Sequence, residues 1–446
     1  MSRHLFGTDG IRAHFGAEPL VEPTVRRIGA ALGAWLAERG REPAVLVAGD
    51  TRASSPRLAA WIADGLAAGG ARPLDLGTLP TAAVARLVVA RGAAGGVVLS
   101  ASHNPAADNG IKLVGADGFK WPVADEAALE RRIAAQPPLG GALAPAPRDE
   151  SARAEYLAAL RALAPGRPLA GLAIALDCAH GAASGLAAEL FAALGARVTP
   201  LFDRPDGANI NAGCGSTHLK PLVERMRAGG FDLGFAFDGD ADRALLVDER
   251  GMPHDGDGML LLWAGELAAA GELEPRAIVA TSMSNLGLER ALARLGVEVV
   301  RCGVGDREVV ETLKARGLRL GGEQSGHLVD LARSTTGDGL LTAARLARVV
   351  ARAGRPASEL LAGFVRYPQL IENVRVRAKP DLATLPRVAS AAHHVEQRLG
   401  RDGRLVLRYS GTEPLARIML EGPEESLIRA LAAELAEAIR EEIGVA

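Results

Sequence analysis

Short apolar runs alternate with amphipathic stretches over most of the chain. Continuous apolar runs bounded by polar turns predict buried strands at 44–49, 95–100, 172–176, 233–237, 277–281 and 297–301. Apolar residues at helical spacing predict helices at 57–68, 184–194, 288–295 and 339–353. Strands that alternate with helices are typical of α/β domains built on largely parallel sheets.

The pattern changes toward the carboxyl end. Residues 374–376 and 405–407 predict short strands, and 425–443 predicts a closing amphipathic helix. A Pro- and Gly-rich stretch at 136–147 indicates a linker. We therefore predict an α/β fold: three similar α/β domains with mixed sheets, which form a divergent repeat, plus a smaller C-terminal α+β domain around a central cleft. The predicted domains are 1–148, 149–252, 253–367 and 368–446.

Composition narrows the class of protein. The 446 residues are 48% hydrophobic and 23% charged, which is typical of a globular protein of several domains. A net charge of −2 argues against a nucleic-acid partner, and no apolar run is long enough to predict a membrane span. Met1–Leu5 lacks the apolar core of a signal peptide, and three widely separated cysteines fit reduced thiols, so we expect a cytoplasmic protein.

Ser102 follows the apolar run 95–100 and precedes His103, Asn104 and Pro105. A serine at the carboxyl end of a buried strand points toward the crevice where open α/β sheets bind ligands. That position suits a nucleophile or a phosphate carrier. A turn serine that bonds its own backbone is the alternative.

Three carboxylates follow the apolar run 233–237: Asp238, Asp240 and Asp242. Carboxylates this close repel one another unless a cation lies among them, and oxygen ligands select Mg²⁺ or Ca²⁺. An EF-hand loop is excluded because Arg243 stands at the sixth position, where that loop needs glycine. A solvated acidic turn stays open as the alternative.

Two further polar loops carry candidate chemistry. Glu323, Ser325 and His327 lie among glycines after an apolar run and suit hydrogen bonds to a polyhydroxy ligand together with proton transfer. The segment 408–414, with Arg417 beyond it, offers hydroxyls, glycine N–H groups and two guanidiniums, which suit a phosphate dianion. Together the four loops indicate phosphoryl transfer to or from a phosphosugar.

The motifs at 6–12, 100–105, 238–243, 323–327 and 408–414 resemble, in this order, those of the α-D-phosphohexomutase superfamily over essentially the whole chain. Gln324 and the segments 209–211, 214–218 and 283–287 resemble the branch that acts on glucosamine phosphates. The mannose/glucose branch typically has Met at the position of Gln324. Ala13 and Tyr409 depart from the usual residues, which concerns only the detailed geometry of two loops.

The resemblance implies a role for each candidate residue. Ser102 is the implied phosphoserine, and it completes a site for one Mg²⁺ per subunit with Asp238, Asp240 and Asp242. The transferring phosphoryl group is implied to face Arg12, His103 and Arg243. Lys112 and His327 resemble the general acid/base pair, while Glu323 and Ser325 are implied to hold sugar hydroxyls. The implied ligands of the second phosphate are Arg408, Ser410, Gly411, Thr412 and Arg417.

The implied reaction interconverts glucosamine 6-phosphate and glucosamine 1-phosphate through a 1,6-bisphosphate that turns around in the cleft. It would feed UDP-N-acetylglucosamine and peptidoglycan precursor synthesis. Glucose or glucosamine 1,6-bisphosphate, or another phosphoryl donor, would prime Ser102. The expected partner is a phosphosugar, with no nucleic acid and no membrane, and a homodimer is compatible with the resemblance. Phosphate recognition by a mobile fourth domain predicts hinge motion.

Three alternatives stay open at this point. A phosphomannomutase/phosphoglucomutase would share the fold and mechanism and differ in its substrate. A Mg²⁺-dependent sugar phosphatase would pass the phosphoryl group to water. A phosphosugar-binding module without catalysis would need neither the serine nor the three aspartates.

Overall fold

One strand order recurs in three successive sheets of the computed structural model, which describes residues 5–40, 43–143, 145–410 and 413–445. The first sheet has the order β1-β5-β4-β2-β3, with β2 parallel to β3 and β4, and with β5 antiparallel to β4 and β1. Its strands are β1 (Ile11–His14), β2 (Ala44–Gly49), β3 (Arg72–Thr78), β4 (Gly95–Leu99) and β5 (Asp108–Gly115). Its helices are α1 (Glu22–Ala37), α2 (Ser55–Ala68), α3 (Thr81–Arg91) and α4 (Val123–Ala135).

The second sheet has the order β10-β9-β8-β6-β7 and the same mixture of parallel and antiparallel pairs. Its strands are β6 (Ala173–Asp177), β7 (Arg197–Leu201), β8 (Leu233–Phe237), β9 (Ala244–Asp248) and β10 (Pro253–His254). The helices of this segment are α5 (Ala152–Ala162), α6 (Leu186–Ala193) and α7 (Lys220–Arg227).

The third sheet has the order β12-β11-β13-β14. Its strands are β11 (Ala277–Thr281), β12 (Glu298–Cys302), β13 (Leu320–Gly322) and β14 (Leu328–Asp330). The helices of this segment are α8 (Gly256–Ala269), α9 (Leu286–Ala293), α10 (Asp306–Arg316), α11 (Gly339–Ala353) and α12 (Ala357–Leu360).

The last sheet is smaller and antiparallel, with the order β15-β17-β16. Its strands are β15 (Gln369–Arg375), β16 (Arg404–Tyr409) and β17 (Leu415–Glu421). A 3₁₀ turn (Leu382–Thr384) precedes α13 (Pro386–Leu399), and α14 (Glu425–Ile443) is the last helix. The buried apolar residues of the strands and both helices form one core, which includes Val374, Ile418, Val395 and Leu435.

These sheets confirm the predicted fold class of three similar α/β segments and a smaller C-terminal segment. In each of the first three, the first long strand lies between the second and the third, and the fourth returns antiparallel to the third. Most predicted elements agree with the structure within two residues. The strand predicted at 374–376 is the exception, since it begins at Gln369 and pairs with β17 along its whole length.

Contacts divide the chain into two compact units, residues 1–281 with 300–361, and residues 282–299 with 362–446. Helix α9 belongs to the second unit, although it precedes β12 in the chain. Asn285 caps α9 by accepting the Gly287 N–H, and its side-chain amide donates to the Tyr367 carbonyl at 2.9 Å. The Leu286 N–H donates to the Glu421 carboxylate of β17 at 3.2 Å. This helix is therefore tied to the C-terminal sheet.

Within the first unit, α1 and α2 contact each other through their backbones. A Cβ atom added to Gly65 of α2 would lie 2.1 Å from the Arg26 carbonyl oxygen, and one added to Gly29 of α1 would lie 2.4 Å from that of Ile62. Glycine is therefore required here for close approach of the helices. No helix among the described residues is long and apolar enough to cross a membrane.

We expect Gly65→Ala to destabilise the protein by about 1–3 kcal/mol, because the clash with the Arg26 carbonyl exceeds the gain in helix propensity of about 1 kcal/mol. Urea unfolding measures the effect. Gly40→Ala is the control, since a Cβ there meets no atom within 4 Å. A Gly65→Ala protein as stable as Gly40→Ala would contradict the backbone contact.

Candidate active site

The functional loops of the first unit occupy one topological position. Ser102 lies between β4 and β5, Asp238 between β8 and β9, and Glu323 between β13 and β14. Each loop therefore joins two antiparallel neighbours of its sheet, at the carboxyl end of β4, β8 or β13, where open α/β sheets bind ligands. Each loop also turns through a residue with positive φ: Ser102 (51°), Ala241 (55°) and Gly326 (88°).

Ser102 and Asp238 lie in hydrogen-bond contact. The Ser102 hydroxyl donates to Asp238 Oδ2 at 2.5 Å, and both side chains are buried. His103 Nδ1 lies 3.4 Å from the same hydroxyl oxygen, and the Arg243 N–H donates to Asp238 Oδ1 at 3.2 Å. The structure thus brings the predicted serine and the predicted acidic loop together, although 136 residues separate them in the chain.

The three carboxylates form a cluster that can hold a metal ion. Asp238, Asp240 and Asp242 are buried, and one oxygen atom of each lies within 4.8 Å of those of the others. Asp240 Oδ1 and Asp242 Oδ1 are buried without a hydrogen-bond partner among the described residues. Buried acceptors are normally satisfied, so these two atoms fit ligands of a cation. An oxygen-only donor set suits a hard divalent ion such as Mg²⁺.

Lys112 on β5 supplies much of the positive charge beside this cluster. Its Nζ atom lies 2.7 Å from Asp240 Oδ2, 3.5 Å from Asp242 Oδ2 and 3.2 Å from Asp9 Oδ2. Burial opposes the charge, but Asp240, Asp9 and Asp242 together raise the pKa of Lys112 well above its usual value. Lys112 is therefore an ammonium group at neutral pH in this arrangement. The Thr81 hydroxyl also donates to Asp240 Oδ2, at 2.6 Å.

The protonation of the aspartates is uneven. Burial, and then the charges of Asp242 and Asp240, raise the pKa of Asp238 well above its usual value. Burial acts in the same direction on Asp242, but Lys112 and His327 hold the pKa of Asp242 well below its usual range. Asp238 therefore ionises less readily than Asp242 in this arrangement.

His327 approaches the cluster from the loop between β13 and β14 of the third sheet. Its Nδ1 atom lies 3.7 Å from Asp242 Oδ2, and its Nε2 atom accepts the Gly337 N–H at 3.1 Å. An Nε2 acceptor places the proton of the neutral ring on Nδ1, facing Asp242. Burial opposes a charged ring, but the nearby Asp242 carboxylate raises the pKa of His327.

Sequence reasoning missed part of this network. Lys120 makes ion pairs with both Asp9 and Asp306, and Asp306 Oδ2 lies 3.9 Å from His327 Nε2. Asp9 also pairs with Arg12. The scarcity of lysine, five residues in the chain, is a signal that could have drawn attention to Lys120. Asp306 begins a helix and carries no such signal.

Arg12 reaches the serine loop from β1. Its Nη1 atom donates to the Ala101 carbonyl at 3.3 Å and to Asn104 Oδ1 at 3.5 Å. Burial, and then the positive charges of Arg243 and Arg12, lower the pKa of His103, so His103 is neutral at neutral pH. The serine loop thus has a guanidinium against its backbone and a neutral imidazole beside the Ser102 hydroxyl, an environment that suits an anionic group there.

The predicted sugar loop lies in the same unit. Glu323 Oε1 accepts the Gly305 N–H at 3.1 Å, and the Gln324 side-chain amide donates to the buried Asp257 Oδ2 at 2.9 Å. Ser325 Oγ is buried without a hydrogen-bond partner in the part of the chain that the structure describes. Glu323 and Ser325 thus stand in the same loop as His327.

The predicted phosphate loop lies in the second unit. Arg408 on β16 and Arg417 on β17 are direct cross-strand partners, so their side chains share one face of the sheet. Like charges in this position are unfavourable, and Arg417 pairs with Glu413 at 3.0 Å. Lys379 Nζ donates a hydrogen bond to the backbone carbonyl of the buried Ser410 at 2.6 Å. Sequence reasoning missed this lysine. Gly411 and Thr412 lie outside the described residues.

Comparison with known proteins assigns the chain to a family. Family models described as phosphoglucomutase/phosphomannomutase match four consecutive segments: domain I at 3–138, domain II at 154–251, domain III at 255–367 and the C-terminal domain at 372–438. The chain belongs to this family, the α-D-phosphohexomutases. Phosphoglucosamine mutase of Cereibacter sphaeroides is 44% identical over 445 residues, 99% of this chain and 100% of the relative. Phosphoglucosamine mutase of Solibacter usitatus is 43% identical over 446 residues, the whole length of both chains.

Solved structures share the fold. A phosphoglucomutase/phosphomannomutase family protein from Burkholderia thailandensis matches with a TM-score of 0.83 and 25% identity over 100% of both chains. Aspergillus fumigatus N-acetylphosphoglucosamine mutase, solved in complex with GlcNAc-6P and magnesium, matches with a TM-score of 0.70 and 19% identity over 99% of this chain and 96% of the other. These matches support the fold of three α/β segments followed by a smaller one.

Proposed function

We propose that this chain is a phosphoglucosamine mutase, which interconverts glucosamine 6-phosphate and glucosamine 1-phosphate. One observation carries the proposal: the Ser102 hydroxyl lies 2.5 Å from Asp238 in a buried cluster of three carboxylates, beside Arg12, His103 and Arg243. The curated relatives, identical at 42–44% over the length of the chain, support the choice of substrate. A sugar phosphatase and a binding module without catalysis both lack this support.

The reaction transfers one phosphoryl group twice. Phosphorylated Ser102 gives its phosphoryl group to the O1 atom of glucosamine 6-phosphate, so the Oγ–P bond breaks and the O1–P bond forms. The resulting 1,6-bisphosphate turns around, the O6–P bond breaks, and the Ser102 Oγ–P bond forms again. Covalent catalysis of this kind needs an oxygen nucleophile that is held in place. A sugar 1,6-bisphosphate is the proposed priming donor.

The chain's own residues supply the remaining chemistry. Arg12 and Arg243 neutralise charge on the transferring group, since guanidinium groups bind phosphate oxygens with charge-assisted hydrogen bonds. Lys112 and His327 exchange protons with the sugar hydroxyls that gain and lose the phosphoryl group. Glu323 and Ser325 orient the sugar ring through its hydroxyls. The unpartnered Ser325 Oγ supports this role.

Asp238, Asp240 and Asp242 are the proposed ligands of one Mg²⁺ ion, completed by an oxygen of phosphorylated Ser102. When bound, Mg²⁺ supplies positive charge that stabilises the transferring phosphoryl group. The unpartnered Asp240 Oδ1 and Asp242 Oδ1 support this assignment.

The C-terminal loop is the proposed site of the phosphate that is not transferred. Arg408, Ser410, Gly411, Thr412 and Arg417 would hold this phosphate for both isomers, since the loop recognises phosphate and not the rest of the sugar. The cross-strand pair of arginines supports the proposal. We also propose domain boundaries after residues 148, 252 and 367, which the four matched family segments support.

We expect Ser102→Ala to lower mutase turnover by several orders of magnitude, because the covalent step needs the serine oxygen. The variant should still bind phosphosugar. Coupled turnover of glucosamine 6-phosphate is the measurement, with glucose and mannose phosphates as competing substrates. Intact mass after incubation with glucose 1,6-bisphosphate should show one added phosphoryl group in the wild type and none in the variant. Near-normal turnover in Ser102→Ala would overturn the serine role. Faster turnover of mannose or glucose phosphates would overturn the choice of substrate.

Removal of the divalent cation should abolish turnover, and Mg²⁺ should restore it. Because ligands that bind only the folded state raise its stability, Mg²⁺ should also raise the Tm of the wild type and leave that of Asp240→Asn unchanged. The control is Asp402→Asn, whose side chain is 76% exposed. Activity that persists in excess chelator would refute the metal requirement.

Arg417→Ala should weaken the binding of both monophosphates to a similar degree. Loss of one charge-assisted contact costs about 1.5–3 kcal/mol, or roughly ten- to a hundredfold in affinity. More 1,6-bisphosphate should also escape per turnover. Arg429→Ala is the control, since Arg429 is an exposed residue of α14 that pairs with Glu425 one helical turn away. Weaker binding of a single isomer would contradict a phosphate site shared by both.

A further inference from the structure

Arg52 binds the backbone of the serine loop, the segment between β4 and β5. Its side chain is fully buried, and all five of its N–H groups have acceptors. Nε donates to Asp50 Oδ2 at 2.9 Å. The other four bonds go to backbone carbonyls of the loop: Nη2 donates to Ser102 at 3.0 Å and to Asn104 at 2.9 Å, and Nη1 donates to Asp108 at 2.9 Å and to Pro105. One guanidinium therefore ties together the loop that carries the nucleophile.

Asn211 binds the same loop from the second sheet's segment. Its side-chain amide donates to the Ser102 carbonyl at 2.9 Å and to the Asn104 carbonyl at 3.0 Å. These are the same two carbonyls that Arg52 Nη2 binds. Each carbonyl oxygen has two lone pairs, so both donors are accommodated. The loop is thus held by donors from two separate segments of the chain.

Asp50 anchors this arrangement. It accepts the Ser100 hydroxyl at 2.6 Å and the Ser55 hydroxyl at 3.0 Å in addition to Arg52. The Ser100 hydroxyl oxygen in turn accepts the Ser102 N–H at 2.9 Å. The N–H and the C=O of Ser102 are therefore both fixed by buried polar side chains.

The backbone conformation of Ser102 explains why these hydrogen bonds to the loop are needed. Its φ of 51° lies in the left-handed region, which residues other than glycine occupy at a cost. A strained conformation persists only when its surroundings over-determine it. Here the conformation aims the hydroxyl at Asp238, and a relaxed backbone would turn it elsewhere.

We propose that Arg52 and Asn211 are positioning residues for the phosphoryl-transfer step, which hold the Ser102 loop in its left-handed conformation through two shared carbonyls. The inference rests on the proposed function of Ser102. Both side chains are buried and bind the backbone of the loop, not the Ser102 hydroxyl. Their loss should therefore lower kcat and the rate of phosphoryl transfer to Ser102, and leave the KM for phosphosugar unchanged.

Arg52→Lys and Asn211→Asp are the variants of choice. Lysine keeps a cation against the buried Asp50 but lacks the planar fork that serves four carbonyls. Aspartate has the size of asparagine and tolerates the positive φ of Asn211 (60°), yet it presents acceptors to the two carbonyls. We expect kcat to fall by about 10- to 100-fold in each, the loss typical of a misplaced reacting group. The rate of Ser102 phosphorylation by glucose 1,6-bisphosphate, followed by intact mass, should fall to the same extent.

The controls are Arg57→Lys and Asn209→Asp. Arg57 is an exposed residue of α2, and Asn209 is a half-buried residue whose side-chain bonds go to the neighbouring residues Arg204 and Asp206. All rates are normalised to the folded fraction from thermal unfolding, and Asn211→Asp decides the question if Arg52→Lys does not fold. If kcat and the rate of Ser102 phosphorylation in Asn211→Asp equal those of the controls, the inference is overturned and the proposed function stands. The same holds if Asn211→Asp raises KM and leaves kcat unchanged. A wild type that cannot be phosphorylated on Ser102 would overturn the proposed function and the inference with it.

Discussion

The structure of the first unit depends on the compensation of charge around three buried carboxylates. Asp238, Asp240 and Asp242 cannot all ionise in a dry site unless cations approach them. Lys112 contacts two of the three, and His327 approaches Asp242 from another loop. These two side chains come from different sheets, so the site exists only when the sheets are assembled. Two carboxylate oxygens still lack hydrogen-bond partners among the described residues, and these are the atoms to which a divalent ion would bind.

The repeated strand order explains how distant residues reach one site. In each of the first three sheets, one strand (β4, β8 or β13) runs parallel to its neighbour (β2, β6 or β11), and the chain then reverses into an antiparallel strand. The reversal leaves a polar loop at the carboxyl edge, where backbone groups are free to face a ligand. A serine, an acidic triplet and a glutamate–histidine loop occupy this one position in the three sheets. The three sheets thus share one strand order, and their loops differ in the polar side chains that they carry.

The sequence alone predicted the helices and strands well, and it indicated four loops as candidates for the site. Strands β2 and β11 and helices α11 and α14 have the predicted bounds, because apolar periodicity and turn residues are local signals. The loops were predicted because each joins an apolar strand to polar residues with definite chemistry. The family was predicted from the order of these motifs along the chain.

Only the tertiary structure decided which residues meet as hydrogen-bond, ion-pair and packing partners. No local pattern indicates that Lys120 pairs with Asp9 and Asp306, that Thr81 donates to Asp240, or that helix α9 packs with the C-terminal sheet. Arg52 and Asn211 are separated by 159 positions in the chain, yet they bind the same two carbonyls. Hydrogen bonds and ion pairs between remote segments depend on how the sheets pack, and packing is a property of the whole chain. The sequence therefore determined which chemistry is available, and the fold determined which groups meet.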